Sequence, residues 1–96
     1  MKAPLIYWHK ARLKQRYILE MEMYDVGKSE RYPDGIKYRV ILIDPKTKKK
    51  VLMDNHHPKG HHIHLNERQI AYEFLSVAKL IEDFSQLVLE HLEVKL

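Results

Sequence analysis

A chain of 96 residues, 45% apolar and 31% charged with only three glycines, has the size and composition of one globular domain, 1–96, and neither disorder nor a collagen-like repeat is compatible with it. The absence of cysteine excludes disulfides, thiolate nucleophiles, iron–sulfur clusters and Cys-ligated zinc, so site chemistry falls to His, Lys, Arg, Tyr and carboxylates. Residues 1–50 hold 13 Lys/Arg against 6 Asp/Glu, whereas residues 51–96 hold 4 against 7. A basic half of this kind concentrates polyanions in a salt-dependent way, which makes RNA or DNA a reasonable partner; a merely solvated basic face is the plainer alternative.

Along the chain, Leu5-Ile6-Tyr7-Trp8 reads as an edge strand, continued by Lys10, Arg12, Lys14 and Arg16 as its charged face. This opening is too short in apolar residues for a signal peptide, and no run approaches the roughly 18 to 20 apolar residues of a membrane span, so no membrane association and a cytoplasmic location are expected. Over 17–25, Tyr17, Leu19, Met21 and Met23 alternate with Ile18, Glu20, Glu22 and Tyr24, the period of a strand. Residues 27–35, with Ser29, Pro33, Asp34 and two glycines, form a loop. A strand over 36–44 follows, alternating at first and then continuously apolar, as a central strand covered on both faces would be.

Asp44-Pro45-Lys46-Thr47-Lys48 has turn chemistry and returns the chain antiparallel into a short strand, 50–55. Pro58 and Gly60 interrupt it, and His61-His62-Ile63-His64-Leu65 resumes an extended pattern. Ile70, Tyr72 and Phe74 share one side of a last strand, with Tyr72 and Phe74 expected in the core facing a helix. From Ser76 the period changes: Val77, Leu80, Ile81, Phe84, Leu87, Val88 and Leu92 lie on one helical stripe, with Ser76 as N-cap. The expected fold is therefore α+β, an antiparallel meander of about four to five strands within 5–74, with one amphipathic C-terminal helix over about 76–93 packed on a face.

Five of the seven histidines, His56, His57, His61, His62 and His64, fall within nine residues. On a strand His62 and His64 project from one face roughly 7 Å apart, while His61 and Ile63 point the other way. Two imidazoles in one workspace support metal-free phosphodiester cleavage, one neutral ring taking the 2′-hydroxyl proton of RNA and one imidazolium protonating the leaving oxygen. Lys59 is positioned by sequence to stabilise phosphoryl charge, and Gly60 to let backbone approach a phosphate. The same His-x-His is a bidentate arrangement for a divalent metal, with His57 or Asp54 as further ligands. The third reading is a polar loop of histidines bonded to backbone or water. From the residues alone these three stay open. Asp54-Asn55 reads equally as a strand-ending turn, and the Lys46–Lys50 run as a solvated one.

The opening Met1-Lys2-Ala3, Ile18-Leu19-Glu20-Met21, Lys37-Tyr38-Arg39, Asp54-Asn55, Lys59-Gly60-x-His62-x-His64, Tyr72-x-Phe74 with Ser76, and Leu80-x-x-Asp83-Phe84 together resemble the TumE-type toxin components of prokaryotic toxin–antitoxin pairs. Met53 stands where the family motif has Tyr before Asp-Asn, and His56, His57 and His61 are additions to it. The resemblance implies a toxin encoded beside an antitoxin that commonly carries a helix-turn-helix DNA-binding domain, and it places Asp54, Asn55, Lys59, Gly60, His62 and His64 in the polar motif.

Residues and resemblance combine into one expectation: a toxin acting on RNA as a ribonuclease without a cofactor. His62 and His64 are the acid/base pair, Lys59 stabilises the transition state and Asp54 orients an imidazole. Asn55, Gly60, Lys37, Arg39 and Lys48 are the candidate substrate-binding residues. A nucleic-acid- or protein-binding module without catalysis, and a metal protein using His62, His64 and His57, are the alternatives. A homodimer that covers the first strand's edge is open on stability grounds.

Overall fold

A computed structural model describes residues 4–96; the triplet Met1-Lys2-Ala3 lies outside them. Among the described residues the chain forms β1 (Leu5–Leu13), β2 (Tyr17–Asp25), β3 (Ile36–Ile43), β4 (Lys50–Asp54), β5 (His62–Leu65), β6 (Arg68–Ala71) and α1 (Val77–Leu92). The six strands make one antiparallel sheet in the order β1-β2-β3-β4-β5-β6. The architecture is the expected meander plus one helix, with six strands in place of four to five. The increase comes largely from β1, which pairs with β2 from Leu5↔Tyr24 to Leu13↔Tyr17, because an edge strand tolerates alternating Lys and Arg on a face that no helix covers.

Strand period decides which side chains enter the core. Leu19, Met21 and Met23 of β2, Tyr38, Val40 and Leu42 of β3, and Val51 and Met53 of β4 are buried on one face. Register aligns them laterally, Met21 opposite Val40 and Val40 opposite Met53. Over this face lies α1, packed chiefly on β4, with Leu80, Phe84 and Val88 fully buried. Each such apolar side chain contributes roughly 1.5–3 kcal/mol through its removal from water. The helix begins where Ser76 Oγ accepts the Lys79 amide at 3.1 Å.

The last strand ends at Ala71, earlier than its alternation alone implies. Leaving the sheet there lets the next residues turn under it toward the helix: Tyr72 Oη donates to Asp83 Oδ2 of α1 at 2.7 Å, and Phe74 joins the partly buried residues around the core. At one end of the sheet, Arg16 donates through Nε and Nη2 to Asp44 at 3.1 and 2.6 Å, tying the β1–β2 turn to the β3–β4 turn. That guanidinium holds the buried Asp44 carboxyl down at about 2.

Candidate functional site

The face opposite the helix has no covering layer among the described elements. Cross-strand register assembles one lateral row on it: Trp8, Glu22, Arg39, Asp54, His62 and Ala71, one residue from each strand. The adjacent row holds Lys10, Glu20, Ile41, Leu52, His64 and Gln69. Burial of Leu65, and of Val51 and Met53 across the β4–β5 pairing, turns the intervening His62 and His64 outward.

The two rings stand 6.2 Å apart between centroids, tilted by 40°. His62 Nδ1 lies 2.9 Å from the Gly60 carbonyl. A carbonyl only accepts, so this nitrogen carries the proton and Nε2 of the neutral ring presents its lone pair. Gly60 takes φ +76°, a left-handed conformation, with open space where a Cβ would stand. His64 Nε2 lies 3.6 Å from Asp54 Oδ1, with the two side chains 19% and 25% exposed, so the pair is half-buried and reachable. With that edge turned to Asp54, Nδ1 is the ring nitrogen left for a ligand.

The other candidates are distributed unevenly. Arg39 is exposed on β3, opposite Asp54, and its Nη1 donates to Glu20 Oε1 at 3.3 Å. Lys37 lies two residues along on the same face, across from Tyr24. Lys59 is exposed in the turn before Gly60 and has no ion-pair or hydrogen-bond partner among the described residues. Lys48 is in the turn after β3, at the opposite end of that strand from Lys37. Asn55 is 4% exposed, and its amide is engaged by backbone: Oδ1 accepts the Tyr38 N–H at 2.9 Å, and Nδ2 donates to the Ile36 carbonyl at 2.7 Å. It holds β3 to the end of β4. His57 is in the exposed turn and is not brought to the His62–His64 pair; among the described residues no three His, Asp or Glu side chains converge as a metal-ligand set.

Two arrangements have no counterpart in the sequence reading. His61, Tyr38 and Phe74 gather into a three-ring cluster, with centroids 5.6 Å apart for Tyr38–His61, 5.1 Å for His61–Phe74 and 5.8 Å for Tyr38–Phe74. Tyr38 Oη donates to its Nδ1 at 2.8 Å, and its Nε2 donates to Asp34 Oδ2 at 2.9 Å. Burial pushes the Tyr38 phenol well above its usual range, which keeps it a donor. The chain Tyr38–His61–Asp34 thus fastens the β2–β3 loop to the start of β5, a link of 27 residues that no local pattern announces. Beside the rows, an open hollow of ≈ 790 Å³ is lined by Glu22, Tyr24, Lys37, Arg39 and Asp54 among others. Strand alternation places Glu22 and Tyr24 on the outward face, but only the β2–β3 register puts them beside the basic pair.

The family model described as toxin TumE matches residues 5–92, from the first residue of β1 to the last of α1. The chain belongs to the TumE toxin family. A search of curated proteins and a search of solved structures each returned no match. As a TumE-family chain it has a toxin's role, and both rows of the open face fall within the matched span. Among the described residues no helix is long and apolar enough to cross a membrane.

Proposed function

We propose that this toxin cleaves RNA by transesterification, without a metal, at the His62–His64 pair. His62 Nε2 removes the proton of a 2′-hydroxyl; the oxygen attacks the adjacent phosphorus and forms a 2′,3′-cyclic phosphate. The P–O5′ bond breaks, and His64, as imidazolium, transfers a proton to the departing 5′-oxygen. Asp54 keeps the His64 ring turned to its task, and Lys59 and Arg39 offset charge on the phosphoryl oxygens. Lys37 and Lys48 hold the strand to either side. The observation that carries the reading is the 6.2 Å separation of two partly buried rings, one with its Nδ1 2.9 Å from the Gly60 carbonyl and the other with its Nε2 3.6 Å from Asp54.

The double variant His62→Ala/His64→Ala should stay folded and lose growth arrest and RNA cleavage by about 10²-fold or more. Cleavage by the unmodified chain should persist in EDTA. Retained toxicity in the folded double variant ends the proposal, and RNA bound but uncut under every metal condition replaces it with a binding module. Loss of cutting in EDTA with recovery on added zinc moves the chemistry to a metal.

The proposal extends to partners. A cognate antitoxin follows from the toxin family, and we assign it a helix-turn-helix DNA-binding domain. Leu5, Ile6, Tyr7 and Trp8 stand exposed on β1, whose outer edge pairs with no strand among the described residues, and a homodimer would cover such an edge.

A further inference from the structure

We propose that the hollow beside the histidine pair is a subsite for guanine, and that it directs cleavage to the bond 3′ of a guanosine. The direction of cleavage rests on the ribonuclease reading; the binding of guanine does not. At ≈ 790 Å³ the hollow lies within the ~300–1,000 Å³ of small-molecule sites and has room for a nucleotide. Leu5, Val26 and the half-buried Tyr24 supply apolar wall against which a base can stack.

Glu22 supplies the selection. Its Oε2 accepts Tyr24 Oη at 3.0 Å, which holds the carboxylate against the ring, while Oε1 makes no hydrogen bond among the described residues. An ionised carboxylate only accepts. Guanine presents two adjacent donors, N1–H and the N2 amino group, and satisfies both carboxylate oxygens at once. Adenine and cytosine set a ring acceptor beside their single amino group, which a carboxylate repels; uracil sets one N–H between two carbonyls. A carboxylate beside Lys37 and Arg39 also weakens general RNA binding by repelling phosphates, a cost that base-specific hydrogen bonds offset for guanine alone.

The position suits the chemistry. Glu22, Arg39, Asp54 and His62 are consecutive in one lateral row, so Glu22 and His62 lie three strand spacings apart, roughly 14 Å between backbones. Asp54 is both a wall of the hollow and the residue 3.6 Å from His64 Nε2. A base seated on Glu22 therefore extends its ribose and 3′-phosphate past Lys37 and Arg39 toward the two imidazoles.

The test begins with mononucleotides, which carry no bond for the histidines to cut. Titrating the unmodified protein with 5′-GMP, 5′-IMP and 5′-AMP, followed by amide chemical shifts, should perturb Glu22, Tyr24 and Lys37. GMP should bind about 10-fold more tightly than AMP, with IMP, which lacks the N2 amino group, between them. Glu22→Gln should bring GMP down to the AMP level. In end-labelled RNA with a single G in a U-rich strand, the cut should fall 3′ of that G. Equal binding of GMP and AMP, or shifts confined to another face, overturns the subsite whether or not RNA is cut. Cutting without regard to G overturns it while leaving the ribonuclease reading intact. A GMP preference without any cutting upholds the subsite and removes that reading instead.

Discussion

Met21 and Glu22, Val40 and Arg39, Met53 and Asp54 are neighbours in the chain, yet they serve opposite faces of one sheet. The helix-covered face is close-packed and apolar; the open face, one pleat away, carries cations, carboxylates and two imidazoles. The pleat lets stability and the proposed chemistry fall to interleaved residues with little interference, because successive side chains leave the backbone in opposite directions. Substitutions should sort by face: loss of folding from one, loss of activity with the fold retained from the other.

The largest expected break of that division is Phe84→Ala. The ring is fully buried where α1 meets the sheet, and its loss should cost about 3–5 kcal/mol, read from the urea midpoint at constant slope. Asn55→Ala comes next and sharpens the comparison, since Asn55 adjoins Asp54 but is buried. It should cost about 2 kcal/mol or more, by leaving the Tyr38 N–H and the Ile36 carbonyl without partners. Folded Asn55→Ala should still cut RNA; normal stability with cleavage abolished would instead transfer the residue to substrate binding.

Asp44 offers a test by pH. Its carboxyl lies at about 2 in the fold, against the ordinary 3.8, chiefly through its hydrogen bonds from Arg16. A depressed folded-state value means that the contribution is present in full above the ordinary carboxylate range and fades as pH falls from about 4 through about 2. The gap in urea midpoint between the unmodified chain and Asp44→Asn should close over that interval; a gap independent of pH would discount the ion pair. The smallest effect belongs to Ser76→Ala, which removes the N-cap acceptor for Lys79 and should cost about 1 kcal/mol of thermal stability without change in cleavage.

Much of this is legible in the sequence. Alternation in Tyr17–Tyr24 and the stripe from Val77 to Leu92 announce β2 and α1, because both put apolar residues at the element's own period. His62 and His64 on one face followed from two-residue spacing. The length of β1 was less legible, since Lys and Arg in alternation mark an exposed strand and a solvated loop alike. The end of β6 was hidden because Tyr72 and Phe74 keep strand period after the chain has left the sheet. Asn55 is a polar residue within a polar motif, and only its backbone partners reveal what its amide does.

Periodicity and composition alone determined the kind and order of the elements, their inward faces and the presence of a histidine pair, since these depend on relations within a few residues. Tertiary structure decided which residues stand beside one another across the sheet: Glu22 against Arg39, Asp54 against His62, Asp34 against His61. Those are lateral relations, set by hairpin registry and loop closure, and a one-residue slip in any hairpin would have dissolved the row on which the proposed chemistry rests.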